Sequence, residues 1–377
     1  MSRPAVWEGI IGQERAVDVL ARAVAQGSVG HAWVWTGPEG VGQDEAARAL
    51  TAALVCSERP AGCGACDACR RALRGTHPAY TAFTPTGSHR VDDVRGRWLP
   101  AAYASAREGG WKVLHVRAAD RMNEAAANAL LKGLEEPPAG TVWLLEVADP
   151  DAVPETILSR AREVRFVALD ADVLTALAEA AGLEDPADRA LAVRACLGSP
   201  ERLRLLAGDR LAGLRAHRDL PRRLREDTPA VSVAIAHELE RAAAARAETV
   251  EQALREEREE LAAAHGDTLP PALARELDER RPRLVREART RSLQAALDNL
   301  ATWYRDLLLV PRGAESELVH RDAREELAAD AAVIGDRGAL EALDALLATR
   351  AALEANAQPR LALEALCMRL AAAFAGR

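Results

Sequence analysis

Lysine is nearly absent from this 377-residue chain, whose 49 basic residues include only Lys112 and Lys132. Aromatic residues make up 3% of the sequence, and no apolar run reaches the roughly 18 residues that a membrane-spanning helix needs. The first 13 residues lack the charged and then apolar pattern of a secretory signal. We therefore expect a cytoplasmic protein without a transmembrane segment.

An excess of positive charge is also missing, because the formal net charge is −8 at pH 7. This charge argues against a protein that binds nucleic acid over its whole surface, so any contact with DNA must be local. The length predicts two or three domains, and 49% hydrophobic with 28% charged residues fits a globular protein. Six cysteines in a cytosolic chain favour a metal site over disulfides.

A glycine-rich turn follows an early apolar segment and precedes an alanine-rich helical pattern. The apolar segment is His31–Trp35, and the helix is expected over Glu45–Leu54. Gly37, Gly40 and Gly42 lie between the two. Strand, glycine turn and helix are the context of a phosphate-binding P-loop, in which backbone N–H groups converge on phosphate oxygens.

The two residues that would carry the chemistry of this loop depart from the P-loop pattern. Gln43 stands where a lysine would reach the β- and γ-phosphates, and Asp44 stands where a serine or threonine would hold Mg²⁺. A neutral amide loses a charge-assisted contact worth about 1.5–3 kcal/mol, and a carboxylate repels phosphate. An ordinary Gly/Pro turn explains the segment equally well, so the rest of the chain must decide.

The buried strand expected at Lys112–Val116 shows a second departure. In P-loop ATPases the corresponding strand ends in an Asp/Glu pair that positions Mg²⁺ and the attacking water, whereas Arg117 and Ala118 follow it here. Asp120 comes two positions too late to occupy the same strand end. Two departures that affect one reaction are harder to ascribe to chance than one.

Four cysteines lie within 14 residues of one another along the chain: Cys56, Cys63, Cys66 and Cys69. Four thiolates at this spacing suit tetrahedral Zn²⁺ in a structural site, and the alternative is four unrelated buried cysteines. His77 follows and could replace one cysteine, although four thiolates already complete the shell. Cys196 and Cys367 lie singly in helical patterns and are expected in the core.

Strands alternate with helices up to about residue 168, which predicts an α/β fold with a doubly wound parallel sheet. From Asp170 onward the pattern is entirely helical, and the charged stretch Glu248–Arg291 is expected to form a solvated helical pair. We therefore expect a core at 1–168 with a zinc insert at about 56–80, a helical lid at 169–207 and an all-α domain at 208–377.

The remaining expected elements are an amphipathic helix over residues 9–29, a helix over Val91–Ala106 after a short strand that ends near Gly87, a helix over Glu124–Leu134 capped by Asn123, strands at Thr141–Val147 and Val164–Val167, and a helix that starts at Ser199-Pro200.

Several blocks of the sequence resemble the delta-prime subunits of the bacterial DNA polymerase III clamp loader, a family of AAA+ proteins. The resemblance extends over about residues 7–166 and returns more faintly near the C-terminus. The blocks are Gly12-Gln13-Glu14, His31-Ala32-Trp33, Thr36-Gly37-Pro38, the four-cysteine insert, Ala119-Asp120-Arg121-Met122, Ala126–Lys132, Leu134-Glu135-Glu136-Pro137-Pro138, Ser159-Arg160, Trp303–Asp306 and Asn356–Leu361.

The resemblance implies an AAA+ module, a small lid and a helical collar that joins a ring of subunits. That ring contains motor (gamma/tau) and delta subunits, and it uses ATP to open the sliding clamp and place it on primed DNA. Delta-prime subunits are fixed members that do not hydrolyse ATP, so ATP binding by this chain is expected to be weak or absent. No catalytic activity is then expected of the isolated chain, which would be a component of the DNA polymerase III holoenzyme.

Delta-prime subunits also offer the arginine of a Ser-Arg-Cys motif to the ATP of a neighbouring subunit. The motif is Ser159-Arg160-Ala161 here, so the arginine is retained while the cysteine is not. Such an arginine in trans is worth about 10³–10⁵ in rate. The resemblance thus assigns Arg160 a catalytic role across a subunit boundary; the alternative is a surface arginine paired with Glu155 or Glu163.

Three further possibilities remain open at this stage. A working ATPase with an unusual nucleotide site would need Asp44 or Asp120 to hold Mg²⁺, which Gln43 and Arg117 disfavour. Weaker candidates for binding roles are a nucleotide sensor at Arg202 and DNA-phosphate contacts at Arg90, Arg95 and Arg97.

Overall fold

The computed structural model describes residues 4–58, 62–85, 88–105, 110–225, 228–264, 266, 269–355 and 357–375. The chain forms two compact units, Met1–Gly208 and Asp209–Arg377. Three positions named above, Gly87, Ala106 and Asn356, lie outside the described residues, as do 59–61 of the insert and 265, 267 and 268 of the charged stretch. The boundaries at residues 168 and 207 remain our proposal.

In the part of the N-terminal unit that the structure describes, five parallel strands form one sheet in the order β2-β3-β4-β1-β5. Two of the four neighbouring pairs, β4-β1 and β1-β5, are not consecutive in sequence, so the strand order reverses direction within the sheet, and the predicted doubly wound α/β fold is confirmed. The strands are β1 (Ala32–Thr36), β2 (Tyr80–Phe83), β3 (Lys112–Val116), β4 (Thr141–Val147) and β5 (Arg162–Arg165).

Helices connect these strands and continue beyond them. A π-helical turn at Val94–Trp98 joins two short helices, so the helix predicted from Val91 is interrupted rather than continuous. The helices are α1 (Glu14–Ala25), α2 (Gln43–Val55), α3 (Asp67–Leu73), α4 (Val91–Asp93), α5 (Leu99–Tyr103), α6 (Glu124–Glu135), α7 (Glu155–Leu158), α8 (Ala171–Ala180), α9 (Pro186–Ala195) and α10 (Pro200–Leu205).

The predicted helix caps are confirmed at two places. The Asn123 side-chain oxygen accepts a hydrogen bond from the Ala126 N–H at 2.8 Å at the start of α6. Ser199 Oγ accepts from the Arg202 N–H at 3.2 Å, and Pro200 is the first residue of α10. Each cap satisfies one N–H that the first helical turn leaves without a backbone partner.

The last strand was predicted two residues too late in the chain. The structure places β5 at Arg162–Arg165 rather than at Val164–Val167. β5 lies at the edge of the sheet with β1 as its neighbour, so three of its four residues are exposed and only Val164 is buried. Charged residues are common at sheet edges. The first half of this strand is charged, so a prediction based on apolar runs did not include it.

The C-terminal unit is all-α in its described residues, as predicted. Its core includes Trp303 and Tyr304, and the Trp303 indole donates to the buried Asp330 carboxylate at 3.3 Å. Asp306 accepts from the His320 N–H at 2.8 Å, so the Trp303–Asp306 block has a structural role. The helices are α11 (Leu211–Arg218), α12 (Leu220–Leu224), α13 (Pro229–Ala264), α14 (Pro271–Leu309), α15 (Arg324–Glu354) and α16 (Pro359–Ala375).

The charged stretch forms the distal parts of α13 and α14. None of the side chains that the structure describes between residues 248 and 291 is buried. Arg280 lies 3.5 Å from Glu257, and Arg258 pairs with Asp278, so opposite charges meet between the two helices. The predicted solvated helical pair is therefore confirmed. Over the described residues, no helix has both the length and the apolar character needed to cross a membrane.

Candidate functional site

The glycine turn lies between β1 and α2, as the sequence predicts. The φ angles of Gly37, Gly40 and Gly42 are 135°, 74° and 120°, in the region that favours glycine. A Cβ on Gly37 would lie 2.2 Å from the Phe166 carbonyl oxygen, so this position also needs glycine for close packing. The turn thus brings its backbone to the N-terminus of α2, where a P-loop would bind phosphate.

The side chain of Gln43 folds back into this turn and is buried. Its Oε1 accepts a hydrogen bond from the Val41 N–H at 2.9 Å, and its Nε2 donates to the Pro38 carbonyl at 2.7 Å. In a P-loop the N–H groups of the turn donate to phosphate oxygens. Here one of those donors is already bonded to an amide of the same loop.

Asp44 forms an ion pair with Arg117, which follows the end of β3. Arg117 Nε donates to Asp44 Oδ1 at 2.8 Å, and Arg117 Nη2 donates to Oδ2. Arg48 lies 3.6 Å from the same carboxylate. Burial opposes the charge of the Arg117 guanidinium, but the neighbouring Asp44 carboxylate outweighs it and raises the Arg117 pKa. In an ATPase the residues at these two positions, 44 and 117, would both help to hold Mg²⁺. Here the Arg117 guanidinium contacts Asp44 directly.

A buried polar network that the sequence analysis missed adjoins this ion pair. His115 on β3 donates from Nε2 to Glu146 Oε1 on β4 at 2.5 Å, and its Nδ1 lies 2.9 Å from the Tyr80 hydroxyl on β2. Burial, with the nearby Asp44 charge, raises the pKa of Tyr80 to about 12. A histidine and a glutamate inside two largely apolar strands were the sequence signal for this network.

Asp44, His115 and Glu146 present atoms within 4.8 Å of one another, close enough to hold a metal ion. Their arrangement fits a hydrogen-bond network better. Glu146 approaches His115 Nε2, whereas Asp44 lies 3.7 Å from Nδ1 at the other edge of the ring. An imidazole offers one nitrogen to a given ion, and both His115 nitrogens already have hydrogen-bond partners in Glu146 and Tyr80.

The first turn of α10 lies against the glycine turn. Ser199 Oγ donates to the Gly40 carbonyl at 2.9 Å, and the Glu201 N–H donates to the same oxygen at 3.3 Å. A Cβ on Gly40 would lie 2.8 Å from Glu201 Oε2, so a carboxylate adjoins the turn. Arg202 belongs to the same helical turn, and its role as a nucleotide sensor stays a prediction.

Gln13 joins the glycine turn to the connection that leaves β5. Its buried amide donates to the Val41 carbonyl at 2.9 Å and to the Val167 carbonyl at 2.7 Å. Its Oε1 accepts from the Val167 N–H at 3.0 Å. The sequence analysis used Gln13 only as part of a resembling block, because a glutamine gives no sign of which backbone groups it will meet.

Asp120, the second Mg²⁺ candidate, is not part of the cluster around Asp44. It lies in the turn Ala119–Arg121, and its Oδ2 accepts from the Asp149 N–H at 3.2 Å. The structure therefore does not bring the two candidate ligands of the active-ATPase alternative together.

The four cysteines of the insert do come together. The Sγ atoms of Cys56, Cys63, Cys66 and Cys69 all lie within 4.8 Å of one another. Sulfurs about 2.3 Å from a tetrahedral zinc lie about 3.8 Å apart, so the cluster fits a metal such as zinc. Backbone N–H groups of Cys66 and Ala65 lower the pKa of the Cys63 thiol to about 6, while burial raises the pKa of Cys69.

The remaining histidine and cysteine candidates, His77, Cys196 and Cys367, are buried residues. His77 is buried, its Nδ1 accepts from the Ala79 N–H at 3.1 Å, and it is not a member of the cysteine cluster. Cys196 and Cys367 are buried free thiols, as predicted.

Arg160 lies in the turn between α7 and β5. Its Nη2 is 2.7 Å from Glu135 Oε1, and its Nη1 donates to the Thr156 carbonyl at 2.9 Å. The expected alternative partners, Glu155 and Glu163, were wrong, because α7 packs against α6 and Arg160 meets Glu135 at the end of that helix. Glu163 instead accepts from Thr36 Oγ1 at 2.9 Å.

The three arginines considered for DNA contacts lie around α4 and the π-helical turn that follows it. The Arg90 N–H donates to the Asp93 carboxylate at 2.9 Å. The Arg97 guanidinium lies 5.9 Å from the centre of the Phe83 ring and 4.0 Å from Asp93. Arg95 is exposed. A role for these arginines in DNA binding stays a prediction.

Residues 12–170 match the protein family described as "DNA polymerase III, delta subunit". Over 136 residues the chain is 42% identical to DNA polymerase III subunit delta' of Pseudomonas aeruginosa, which covers 34% of this chain and 41% of that protein. Over 172 residues it is 35% identical to DNA polymerase III subunit tau of Salmonella typhimurium, covering 45% of this chain and 27% of that protein. The chain thus spans between about a quarter and two fifths of these relatives.

Solved structures also resemble this chain at low sequence identity. A DNA polymerase III gamma subunit-related protein from Thermotoga maritima is 15% identical with a TM-score of 0.42, covering 95% of this chain and 99% of that one. The RuvB Holliday junction branch migration motor of the same organism is 16% identical with a TM-score of 0.39, covering 57% of this chain and 66% of that one.

Proposed function

We propose that this chain, whose residues 12–170 match a DNA polymerase III family, is a delta-prime-type AAA+ subunit of the bacterial clamp loader that does not hydrolyse ATP. In this role it joins motor (gamma/tau) and delta subunits in a cytoplasmic ring. The assembled ring opens the sliding clamp and places it on primed DNA. The chain supplies an arginine to the ATP of a neighbouring subunit.

The contacts inside the glycine turn are the observation that carries the first part of this proposal. Gln43 uses the Val41 N–H that phosphate would need, and Arg117 neutralises Asp44 where Mg²⁺ would bind. Glu201 adds a carboxylate beside Gly40, which disfavours a phosphate there. Binding of MgATP would have to break these contacts before it made new ones, which supports weak or absent nucleotide binding.

The same contacts disfavour the alternative of an active ATPase. That alternative needs Asp44 or Asp120 to coordinate Mg²⁺, but Asp44 is bonded to Arg117 and Asp120 to the Asp149 N–H. Brisk ATP hydrolysis by the purified chain would nonetheless overturn our proposal and favour this alternative.

Two helices of the C-terminal unit expose apolar residues at a spacing of seven, which supports a role in assembly. Leu340 and Leu347, which follow the break in α15 at Gly335, are 53% and 65% exposed. Leu361 and Met368 on α16 are 58% and 45% exposed. Repeats of seven place side chains along one face of a helix, as in helices that pack side by side. We propose that these faces form collar contacts with other subunits of the ring.

A structural Zn²⁺ completes the proposal for the insert. Cys56, Cys63, Cys66 and Cys69 would hold the ion, and no position would remain open for substrate. The insert contains few large apolar residues, so a metal would stabilise it where a hydrophobic core cannot.

Arg160 is the residue that we propose to act in trans. Its side chain is 39% exposed, and its contacts are to Glu135 and a backbone carbonyl rather than to the glycine turn. A guanidinium at the surface can be offered to a neighbouring molecule, where it would stabilise charge on the transferring phosphoryl group.

Reconstitution of the ring with the motor and delta subunits of the same organism tests this function. We expect Arg160→Ala to leave assembly intact and to lower the DNA-stimulated ATPase activity, whereas Arg165→Ala, an exposed arginine of β5, should not. Equal ATPase activity with wild-type, Arg160→Ala and Arg165→Ala chains would contradict the trans role. Failure of the wild-type chain to join the ring would contradict the proposal as a whole.

A further inference from the structure

Glu135 and Arg160 form an ion pair between the last residue of α6 and the turn that follows α7. Arg160 Nη2 lies 2.7 Å from Glu135 Oε1, and Arg160 Nη1 donates to the Thr156 carbonyl at 2.9 Å. The guanidinium is thereby held at two of its nitrogens. A guanidinium has five N–H donors, so further donors remain for a phosphate.

The location of Glu135 is unfavourable for a carboxylate unless the arginine is present. The C-terminus of a helix carries partial negative charge, which disfavours an acidic residue there. Glu135 and Glu136 both stand at this end of α6. Arg160 provides the compensating positive charge for Glu135.

Glu135, the partner of Arg160, lies at the end of a helix whose position is fixed by buried residues. α6 buries Leu130 and Leu134 in the core of the N-terminal unit, so the end of the helix has a defined position. An arginine side chain has many rotamers, and it loses conformational entropy whenever it is ordered. A fixed carboxylate that restricts the guanidinium beforehand reduces the entropy that must be lost when a neighbour docks.

We propose that Glu135 is a positioning residue for Arg160: it holds the guanidinium ready for the triphosphate of the neighbouring subunit. This inference rests on the proposed trans role of Arg160. The pair is exposed on both sides, with 39% and 49% of the two side chains accessible, so it is weak and can yield to a phosphate. A triphosphate carries more negative charge than one carboxylate, and it binds arginine through the same charge-assisted hydrogen bonds.

The test compares Glu135→Ala with Glu136→Ala in the reconstituted ring, each with Arg160 present and with Arg160→Ala. Glu136 is the matched control, because it is the adjacent exposed glutamate and has no ion pair with Arg160. Glu135→Ala should lower the ATPase kcat about 2- to 5-fold, in line with an exposed ion pair. KM for ATP should stay unchanged, since the arginine acts in the transition state.

Glu135→Gln, which keeps an acceptor oxygen but loses the charge, should give an intermediate kcat. In the Arg160→Ala background, Glu135→Ala should have no further effect, because a residue that acts through Arg160 has nothing left to position. Equal kcat for Glu135→Ala and Glu136→Ala would overturn the positioning role, and so would an undiminished Glu135→Ala effect without Arg160. If Arg160→Ala itself leaves the ATPase unchanged, the proposed trans function fails first.

Discussion

Arg117 and Asp44 join the end of β3 to the first turn of α2 through an ion pair, with Arg117 Nε 2.8 Å from Asp44 Oδ1. In an active P-loop enzyme the corresponding two positions share a bound Mg²⁺. In this chain the positive charge at this place is the guanidinium of Arg117, and the negative charge that faces it is the carboxylate of Asp44 on α2. Asp44 and Arg117, the two departures from the P-loop pattern, therefore compensate each other, since either one alone would leave a partly buried charge without its main partner.

The first prediction concerns the stability of that pair. We expect Arg117→Gln to lower the free energy of unfolding by about 1–3 kcal/mol, because it leaves Asp44 partly buried, with Arg48 and the His115 ring as its neighbours at longer range. Urea unfolding at pH 7 measures this loss. The double variant Asp44→Asn with Arg117→Gln should lose less than the sum of the two single variants. Additive losses would mean that the pair contributes no coupling energy.

The second prediction concerns nucleotide binding by the isolated chain. Wild-type protein should show no saturable binding of MgATP in calorimetric titrations into the millimolar range, where the binding free energy is only about 4 kcal/mol. Gln43→Lys alone should not restore it, because Asp44 remains bonded to Arg117. The triple variant Gln43→Lys, Asp44→Thr, Arg117→Asp should bind MgATP measurably. Tight binding by the wild-type chain would contradict the prediction.

The third prediction concerns the cysteine cluster. Purified protein should contain about one zinc ion per chain, and Cys66→Ser should lose it, because only three thiolates would remain. Cys367→Ala serves as the control, since this buried thiol lies in the core of the other unit and its loss should leave the zinc content unchanged. Elemental analysis after gel filtration gives the answer; equal zinc in the Cys66→Ser and wild-type proteins would reject the site.

The fourth prediction concerns acid stability and His89. Burial lowers the pKa of His89 below its ordinary value, and the ring packs edge-on against Trp98 at 4.8 Å between centroids. The unfolded chain therefore binds a proton at a higher pH than the folded chain does. Stability should be fully present above pH about 6.5 and fall as the pH drops toward the folded-state value.

This single site contributes at most about 1.4 kcal/mol per pH unit to that fall. His89→Gln keeps a donor for the Arg117 carbonyl, which His89 Nε2 contacts at 2.8 Å, but cannot take up a proton. Between pH 8 and 5 the unfolding free energy should therefore fall less steeply with decreasing pH for the variant than for the wild type. The size of the effect is limited by the difference between the His89 pKa values of the folded and unfolded chains. The same slope for both proteins would show that His89 does not contribute.

The fifth prediction concerns the exposed apolar face of α15. Leu347→Glu should weaken assembly of the ring by about 10- to 100-fold, because a leucine buried at an interface contributes about 1.5–3 kcal/mol. Leu347 is 65% exposed in the single chain, so the melting temperature of the isolated protein should barely change. Asp344→Ala, an exposed change on the same helix, is the control. Sedimentation of the ring measures the effect; unaltered assembly of Leu347→Glu would remove α15 from the interface.

Much of the fold follows directly from local sequence. β3 and β4 begin and end at the predicted residues, Lys112–Val116 and Thr141–Val147, because continuous apolar runs bounded by turn residues are strong signals for buried parallel strands. The caps at Asn123 and Ser199 were also predictable, since the side chain that caps a helix lies within three residues of the N–H that it bonds. The edge strand β5 was misplaced because its own residues are mostly exposed.

The contacts at the glycine turn were less accessible from sequence. The identities of Gln43 and Arg117 were enough to question nucleotide hydrolysis, yet not to show that Gln43 bonds the Val41 N–H or that Arg117 reaches Asp44. The partner of Arg160 was wrong for the same reason: Glu135 is 25 positions earlier in the chain, whereas the expected partners were near neighbours.

The sequence by itself determined β3 and β4, the helix caps at Asn123 and Ser199, the strand-turn-helix context of the glycines and the four-cysteine spacing, because each depends on residues close together in the chain. Only the tertiary structure decided which distant charges meet. It joined Asp44 to Arg117, His115 to Glu146 and Glu135 to Arg160. The physical reason is that an ion pair depends on distance in space, and distance in space between remote residues is set by how the sheet orders its strands.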